Sequence, residues 1–411
     1  MRKDIQKDNT LLIKGPARIN LLEGKIEVFG KHIASSKEIS SSDSSLIEDK
    51  DALIVPGANN YPLYALESSK LEIYAAKEES IKLIEKNSIP ETWNEIKNSI
   101  LNEIKKRKEK IPLKIMVLGI SSGKTTLIKY LANNFIREGL RGGYLDSDLG
   151  QQIIYLPTTL NIGDIEDYIV SSEDVKPKQT IFIGATFPKG NFKFIVSYYC
   201  RKLIDDYIQS KKDIDFILID TDGWIKTEAG IVYKNFFIKT VDPDVLIVFH
   251  DEIIEELKLI ENNALKIRKD IKMHLIKEKN EYYFDKTKEE RRFLRQSQFA
   301  KILEGYRKIS MPLDDIKFVK ADYDKENDKI IEQEIKVGDL IKLPYHYVII
   351  ALMTEDSKII KIGLLFVVNV EKNYILLFSD LGLKEQAKVK KVLLGSLRLS
   401  TKGNHQGYLY L

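Results

Sequence analysis

The 411-residue chain carries 65 basic and 61 acidic residues for a net charge of +4, with 43% of its residues hydrophobic and 31% charged. That balance excludes a globally basic nucleic-acid coat and confines any such surface to a local patch, while the length calls for two or three domains. One cysteine, Cys200, and five histidines without ligand spacing exclude a disulfide framework and a multi-cysteine zinc site; with no apolar leader in MRKDIQKDNT and no bilayer-spanning apolar run, a soluble, cytoplasmic protein is expected.

In chain order, residues 1–76 are expected to form an N-terminal β domain. TLLIKGPARINLLEGKIEVFGKHI alternates apolar and polar residues about turns at Gly15-Pro16 and Glu23-Gly24, a serine-rich loop runs from Ser35 to Ser45, and strands are predicted at Asp51–Val55 and Lys70–Ala75. Residues 77–110 turn charged and helical, closing on KKRKEK at Lys105–Lys110, which reads as a solvated helix end. From 111 to 310 strands and helices alternate, the signature of a mostly parallel sheet covered on both faces. Its strands are predicted at Ile115–Leu118, Gly143–Asp146, Thr180–Ile183, Phe216–Asp220 and Val245–Phe249, with a helix over Asn191–Tyr207 and a mainly helical stretch from Asp251 to Arg307. Residues 311–411 are β-rich again. The expected fold class is α/β, a central P-loop NTPase domain flanked by N-terminal and C-terminal β-rich domains.

The most informative stretch is KIMVLGISSGKTTL, Lys114 to Leu127. A buried strand running into a Gly-Ser turn and then a helix is the order that a phosphate-binding loop requires, because backbone N–H groups and the helix N-terminus converge there on an anion. Gly119, Ser121, Ser122, Gly123, Lys124, Thr125 and Thr126 are the candidate nucleotide-binding residues, with Lys124 reaching the outer phosphates and the Thr125 hydroxyl offered to Mg²⁺. The loop is one residue short: Gly119 and Gly123 enclose only Ile120, Ser121 and Ser122, where the common spacing has four.

The second predicted strand of this domain ends in Asp146-Ser147-Asp148-Leu149-Gly150-Gln151. Carboxylates at i and i+2 share one side of a strand, and at its carboxyl end both can face a nucleotide crevice, one serving Mg²⁺ and the other a proton. Trp224 follows another strand in Thr221-Asp222-Gly223-Trp224, where an exposed indole could stack on a base. In KEERRFLRQSQFAKIL, Arg291 and Arg295 share a helix face with Arg292 alongside, so they could approach one phosphoryl group; the ordinary alternative is pairing with Glu289 and Glu290 on a solvated face.

GKTT followed by DSDLGQ and PTT, together with FIGATFPKGN, IDTDGWIK, LLIKGPARINLLEGKIEVFG and VKKVLLGSLRL in this order, resembles the polynucleotide 5′-hydroxyl kinase family across nearly the whole chain. The resemblance implies transfer of the γ-phosphate of ATP or GTP, with Mg²⁺, to the 5′-hydroxyl of RNA or DNA, and a place among RNA-processing partners. It further implies Asp148 as general base paired with Gln151, Asp146 as the metal carboxylate, Thr186 and Asn191 as a clasp on the substrate backbone, Trp224 as a base platform, and Arg291, Arg292 and Arg295 as a lid. Two other functions are weighed. A nucleotide-bound scaffold is one; a regulatory GTPase is the other, supported by Asp220-Thr221-Asp222-Gly223 but lacking an Asn-Lys-x-Asp motif.

Overall fold

A computed structural model describes residues 1–35, 47–48, 52–107, 111–120, 123–171, 174–211, 213–278, 282 and 286–410. Two sheets at the N-terminus, of four and six strands, enclose an apolar core that includes Leu11, Ile13, Ile19, Val28, Leu63 and Ile73. The first strand, Arg2–Ile5, pairs with Ser69–Ala75, and the region runs past residue 76, since Ile81–Ile84 pairs with Thr10–Lys14. IKLI was expected to be helical; docked on the open edge of Thr10–Lys14 it is a strand, since pairing satisfies its backbone and buries Ile84. The helix after it, Glu91–Lys106, buries Trp93, Ile96, Ile100, Leu101 and Ile104 along one face. Lys105 at its end bonds Glu138, and most of the predicted serine-rich loop lies outside the described residues.

The central sheet has seven strands in the order Pro177–Phe182, Thr159–Ile165, Gly142–Asp146, Phe216–Asp220, Leu113–Leu118, Val245–Phe249 and Lys272–Ile276. The last five are parallel; the first two form an antiparallel flank. Helices cover both faces, and their apolar sides make two cores, one around Cys200, Phe237 and Ile260, the other around Trp93, Leu131 and Phe135. Thr159–Ile165 and Lys272–Ile276 are strands that the sequence reading passed over, and the second interrupts the stretch expected to be helical between Glu255–Ile267 and Lys288–Leu303.

Both flanking regions grip the central one. Asn133, on the helix Lys124–Arg137, donates to Phe29 O and Ile169 O, and Lys129 Nζ donates to Val170 O beneath the rings of Phe29 and Tyr61. Burial first, then the charge of Lys286, pulls the Lys129 ammonium down to about 8. At the other end an eight-stranded sheet starts at Arg307, ahead of the expected boundary, and its strand Lys391–Leu399 lies against Gly184, with Ser396 N and Leu397 N both donating to Gly184 O. No helix among the described residues is long and apolar enough to cross a membrane.

Candidate functional site

Parallel register sets the site. Val117 pairs with Asp220, and Asp220 with Asp146, so the phosphate-loop strand and two carboxylates finish side by side at the carboxyl edge of the sheet. The loop then leaves Leu118 through Gly119, whose φ of +155° and tight seat, 2.7 Å from a would-be Cβ to Phe249 Cβ, leave no room for a side chain. Gly123 turns into the helix with φ of +81°. Lys124 is buried with Nζ donating to Gly119 O at 2.8 Å, and Thr125 and Thr126 are partly exposed in the first helical turn. Ser121 and Ser122 lie outside the described residues.

Of the two sequence-predicted carboxylates, Asp146 is held by backbone amides rather than standing beside Thr125. Asp146 is 1% exposed and accepts from Asp148 N and Ile153 N, at 3.2 and 2.7 Å, so both its oxygens pin the loop that follows. The carboxylate beside Thr125 is instead Asp220, whose Oδ2 accepts from Thr125 Oγ1 at 2.6 Å and from Tyr144 OH at 3.1 Å. Its Oδ1 is buried with no partner among the described residues. Burial raises the Asp220 carboxyl against the opposing pull of Lys124, and burial together with Asp220 raises Asp146 well above the ordinary range. A hydroxyl, a carboxylate and one unsatisfied buried oxygen next to a phosphate loop fit Mg²⁺, which takes hard oxygen ligands and usually few from protein. Asp220 thus replaces Asp146 as the metal candidate. The signal was available in the sequence, a carboxylate closing the apolar strand FILID, but only the register brings it to Thr125.

Asp148 sits at the mouth of this edge. Its Oδ1 accepts from Gly150 N and Gln151 N at 2.9 and 3.0 Å, and its Oδ2 has no partner among the described residues. Burial, then the negative charge of Asp222, raises its carboxyl, with Lys124 opposing. Asp222 is fixed on the far side, accepting from Trp224 N at 2.8 Å and facing Lys234 Nζ at 3.0 Å. Lys234 is fully buried, and burial lowers its ammonium despite Asp222. This engagement turns the Asp-Thr-Asp-Gly run into a support for Trp224.

The arginine helix, Lys288–Leu303, closes over the same point. Thr287 and Glu290 form a capping box, and Glu290 also pairs with Lys14 of the N-terminal sheets at 3.2 Å. Glu290, one of the two acidic residues expected to mask the arginines, is therefore occupied elsewhere, and no ion pair of Arg291, Arg292 or Arg295 is found among the described residues. Gln298 Nε2 donates to Gln152 O at 2.6 Å, tying the helix to the acidic loop, and Gln151 Nε2 donates to Gly150 O at 2.7 Å beneath Arg291 O. A Cβ placed on Gly150 would stand 3.0 Å from Thr186 O, 3.5 Å from Asp148 Oδ1 and 3.9 Å from Arg295 Nη1, so three separate segments meet there. Arg291 is partly exposed and Arg292 exposed at the rim.

The predicted clasp residues diverge. Thr186 is partly exposed with its hydroxyl 3.5 Å from Tyr408 OH, whereas Asn191 Nδ2 donates to Asp322 Oδ1 at 2.9 Å, tying the helix Phe192–Ser210 to the C-terminal sheet. Asn191 makes no side-chain cap to that helix. Trp224 is not the exposed indole expected: it is partly buried, packed against the central apolar core with its ring 5.9 Å from Tyr233. Phe187, 4.4 Å from Trp224 and 41% exposed, is the more open ring of the pair and was missed, although it lies inside the quoted FIGATFPKGN.

Comparison with known proteins bears on this geometry. Residues 119–305 match the family model described as mRNA cleavage and polyadenylation factor CLP1 P-loop. A polyribonucleotide 5′-hydroxyl-kinase of Methanocaldococcus jannaschii is 27% identical over 335 residues, 72% of this chain and 90% of that protein. One from Pyrococcus abyssi is 32% identical over 208 residues, 50% of this chain and only 54% of its own length. Among solved structures, wild-type Clp1p in complex with a segment of Pcf11p superposes with a TM-score of 0.72 across 97% of each chain at 15% identity, a likeness of fold.

Proposed function

We propose that the chain is a polynucleotide 5′-hydroxyl kinase, like the relatives it resembles, and transfers the γ-phosphoryl group of ATP, or of GTP, to the 5′-hydroxyl end of RNA or DNA. The observation that carries the reading is the meeting at Gly150 of the Asp148 loop, the Thr186 loop and Arg295, beside a phosphate loop. A carboxylate, a substrate-facing loop and a guanidinium within reach of one another are what moving a phosphoryl group onto a hydroxyl needs.

Lys124 swings from Gly119 O to the β- and γ-phosphates, and Gly123 with the first turn of the helix Lys124–Arg137 presents its backbone N–H groups to them. Thr125 and Asp220 would hold Mg²⁺, which when bound offsets the charge on the phosphate oxygens. Asp148 accepts the 5′-hydroxyl proton on its free Oδ2, while backbone amides hold Oδ1; the new bond joins O5′ to the γ-phosphorus, and the bond to the β-phosphate oxygen breaks to leave the nucleoside diphosphate. Arg295, with Arg291 and Arg292 at the rim, meets charge spreading over the equatorial oxygens. The substrate end stacks on Phe187 and Trp224, and Thr186 takes its backbone phosphate; Asn191, holding Asp322, keeps that loop in place.

The test supplies γ-labelled ATP with matched 5′-hydroxyl and 5′-phosphate oligonucleotides. Label on the hydroxyl oligonucleotide alone supports the kinase. Free labelled phosphate without labelled oligonucleotide would make it an NTPase, and no turnover of bound nucleotide would make it a scaffold in an RNA-processing assembly.

A further inference from the structure

The C-terminal hairpin, Lys391–Leu399 with His405–Tyr408, packs against both the Thr186 loop and the arginine helix. On one side Gly184 and Gly395 pack backbone to backbone, a Cβ on Gly395 standing 2.7 Å from Gly184 Cα, which fixes the hairpin to the start of the Thr186 loop. On the other, a Cβ on Gly403 would meet Phe299 Cβ at 2.8 Å and Gln296 O at 3.0 Å, so the hairpin turn rests on the arginine helix.

Exposure separates the residues that close the hairpin. Leu409, just past the strand, is wholly buried in the C-terminal core, with its N–H on Ser396 O at 2.6 Å, while its neighbours Tyr408 and Tyr410 are 38% and 71% exposed. Their rings lie 6.2 Å apart. Lys189, from the Thr186 loop, places its ammonium 5.5 Å from the Tyr410 ring centre, and His405 lies 4.9 Å from Tyr408. Two large rings left open to water at the terminus of a sheet, anchored by a buried leucine and flanked by a cation, contribute nothing to the core. Open rings with a backbone-tracking cation are the composition that binds single-stranded nucleic acid irrespective of base.

We propose that Tyr408, Tyr410 and Lys189 form a second stacking platform, for the nucleotides that follow the terminal one in a single-stranded 5′-hydroxyl polynucleotide. This rests on the kinase reading for the direction of the strand. The terminal nucleotide occupies Phe187 and Trp224, and the chain continues past Thr186, whose hydroxyl is within 3.5 Å of Tyr408 OH, onto the two tyrosines.

The test compares a 5′-hydroxyl oligouridylate dinucleotide with the hexanucleotide, by fluorescence anisotropy without ATP and by kcat/KM with it. Affinity should rise with length in the wild type. In Tyr410→Ala that rise should shrink by about tenfold, as expected for one lost stacked base, and Tyr410→Phe should keep it. A full rise in Tyr410→Ala, or an equal loss for both lengths, would overturn the platform. The kinase reading fails separately, if no 5′-hydroxyl oligonucleotide is labelled; the anisotropy series still decides whether the tyrosines bind the strand.

Discussion

The carboxyl edge of the central sheet and the arginine helix hold charge in opposite ways. At the sheet edge Lys124, Asp146 and Asp220 are buried, and each is hydrogen-bonded to a neighbour before any ligand is considered. On the helix Arg291, Arg292 and Arg295 have no ion-pair partner among the described residues, while the helix itself is fixed by its cap, by Lys14 and by Gln298. The difference teaches a division of labour. Under the proposed function, Lys124 and Asp220, which would hold the nucleotide and its metal in the ground state, are pre-satisfied by protein, whereas the arginines, which would act on charge appearing only in the transition state, stay uncommitted.

The largest effect should come from Asp148. Asp148→Asn is expected to lower turnover by roughly 10²–10⁴-fold with nucleotide affinity kept. Its folded-state carboxyl is raised above the ordinary 3.8, so the native chain holds its proton to higher pH than the unfolded chain does. This group's contribution therefore makes stability fall as pH climbs from 3.8 through the raised value. At neutral pH the Asn variant should melt no lower than wild type by calorimetry. Next, Arg295→Ala should cost turnover at least about 10²-fold, measured at saturating substrate, and Arg295→Lys should recover only part, since a point charge lacks the planar fork. An unchanged turnover in Arg295→Ala would dissolve the contrast between edge and helix.

Asp146→Asn sharpens the contrast within the edge. Asn offers one accepting oxygen where two backbone amides now bond, so the loss should appear chiefly as stability, about 1–3 kcal/mol by denaturant titration. If it instead matched Asp148→Asn in turnover with no loss of stability, the roles would have to be exchanged. The smallest change is expected from Phe187→Ala: oligonucleotide affinity should fall by about 1–3 kcal/mol, with melting little altered because the ring is already 41% exposed.

Much of this was legible in the chain itself. Phe216–Asp220 and Val245–Phe249 were read to the residue because a parallel strand covered on both faces is an uninterrupted apolar run. Thr159–Ile165 escaped because it carries Asn161 and Asp164; Asn161 is buried but bonded to Gln152, Thr159 and Thr180, and such mutual satisfaction does not register in hydropathy. The phosphate loop and the arginines were visible as local patterns. Asp220 as the partner of Thr125 was not, since the two are brought together only by strand register, and Tyr408 and Tyr410 gave no signal because their setting depends on where Gly184 and Gly395 meet.

The most direct measurement is the single-turnover rate of phosphoryl transfer to a 5′-hydroxyl oligonucleotide as a function of pH, by rapid quench, in wild type and in Asp148→Asn. The wild-type rate should fall on the acid side through a limb lying above 3.8, where the raised carboxyl takes up its proton, and the Asn variant should be slow and flat across that limb. The same acid limb persisting in Asp148→Asn would contradict the account.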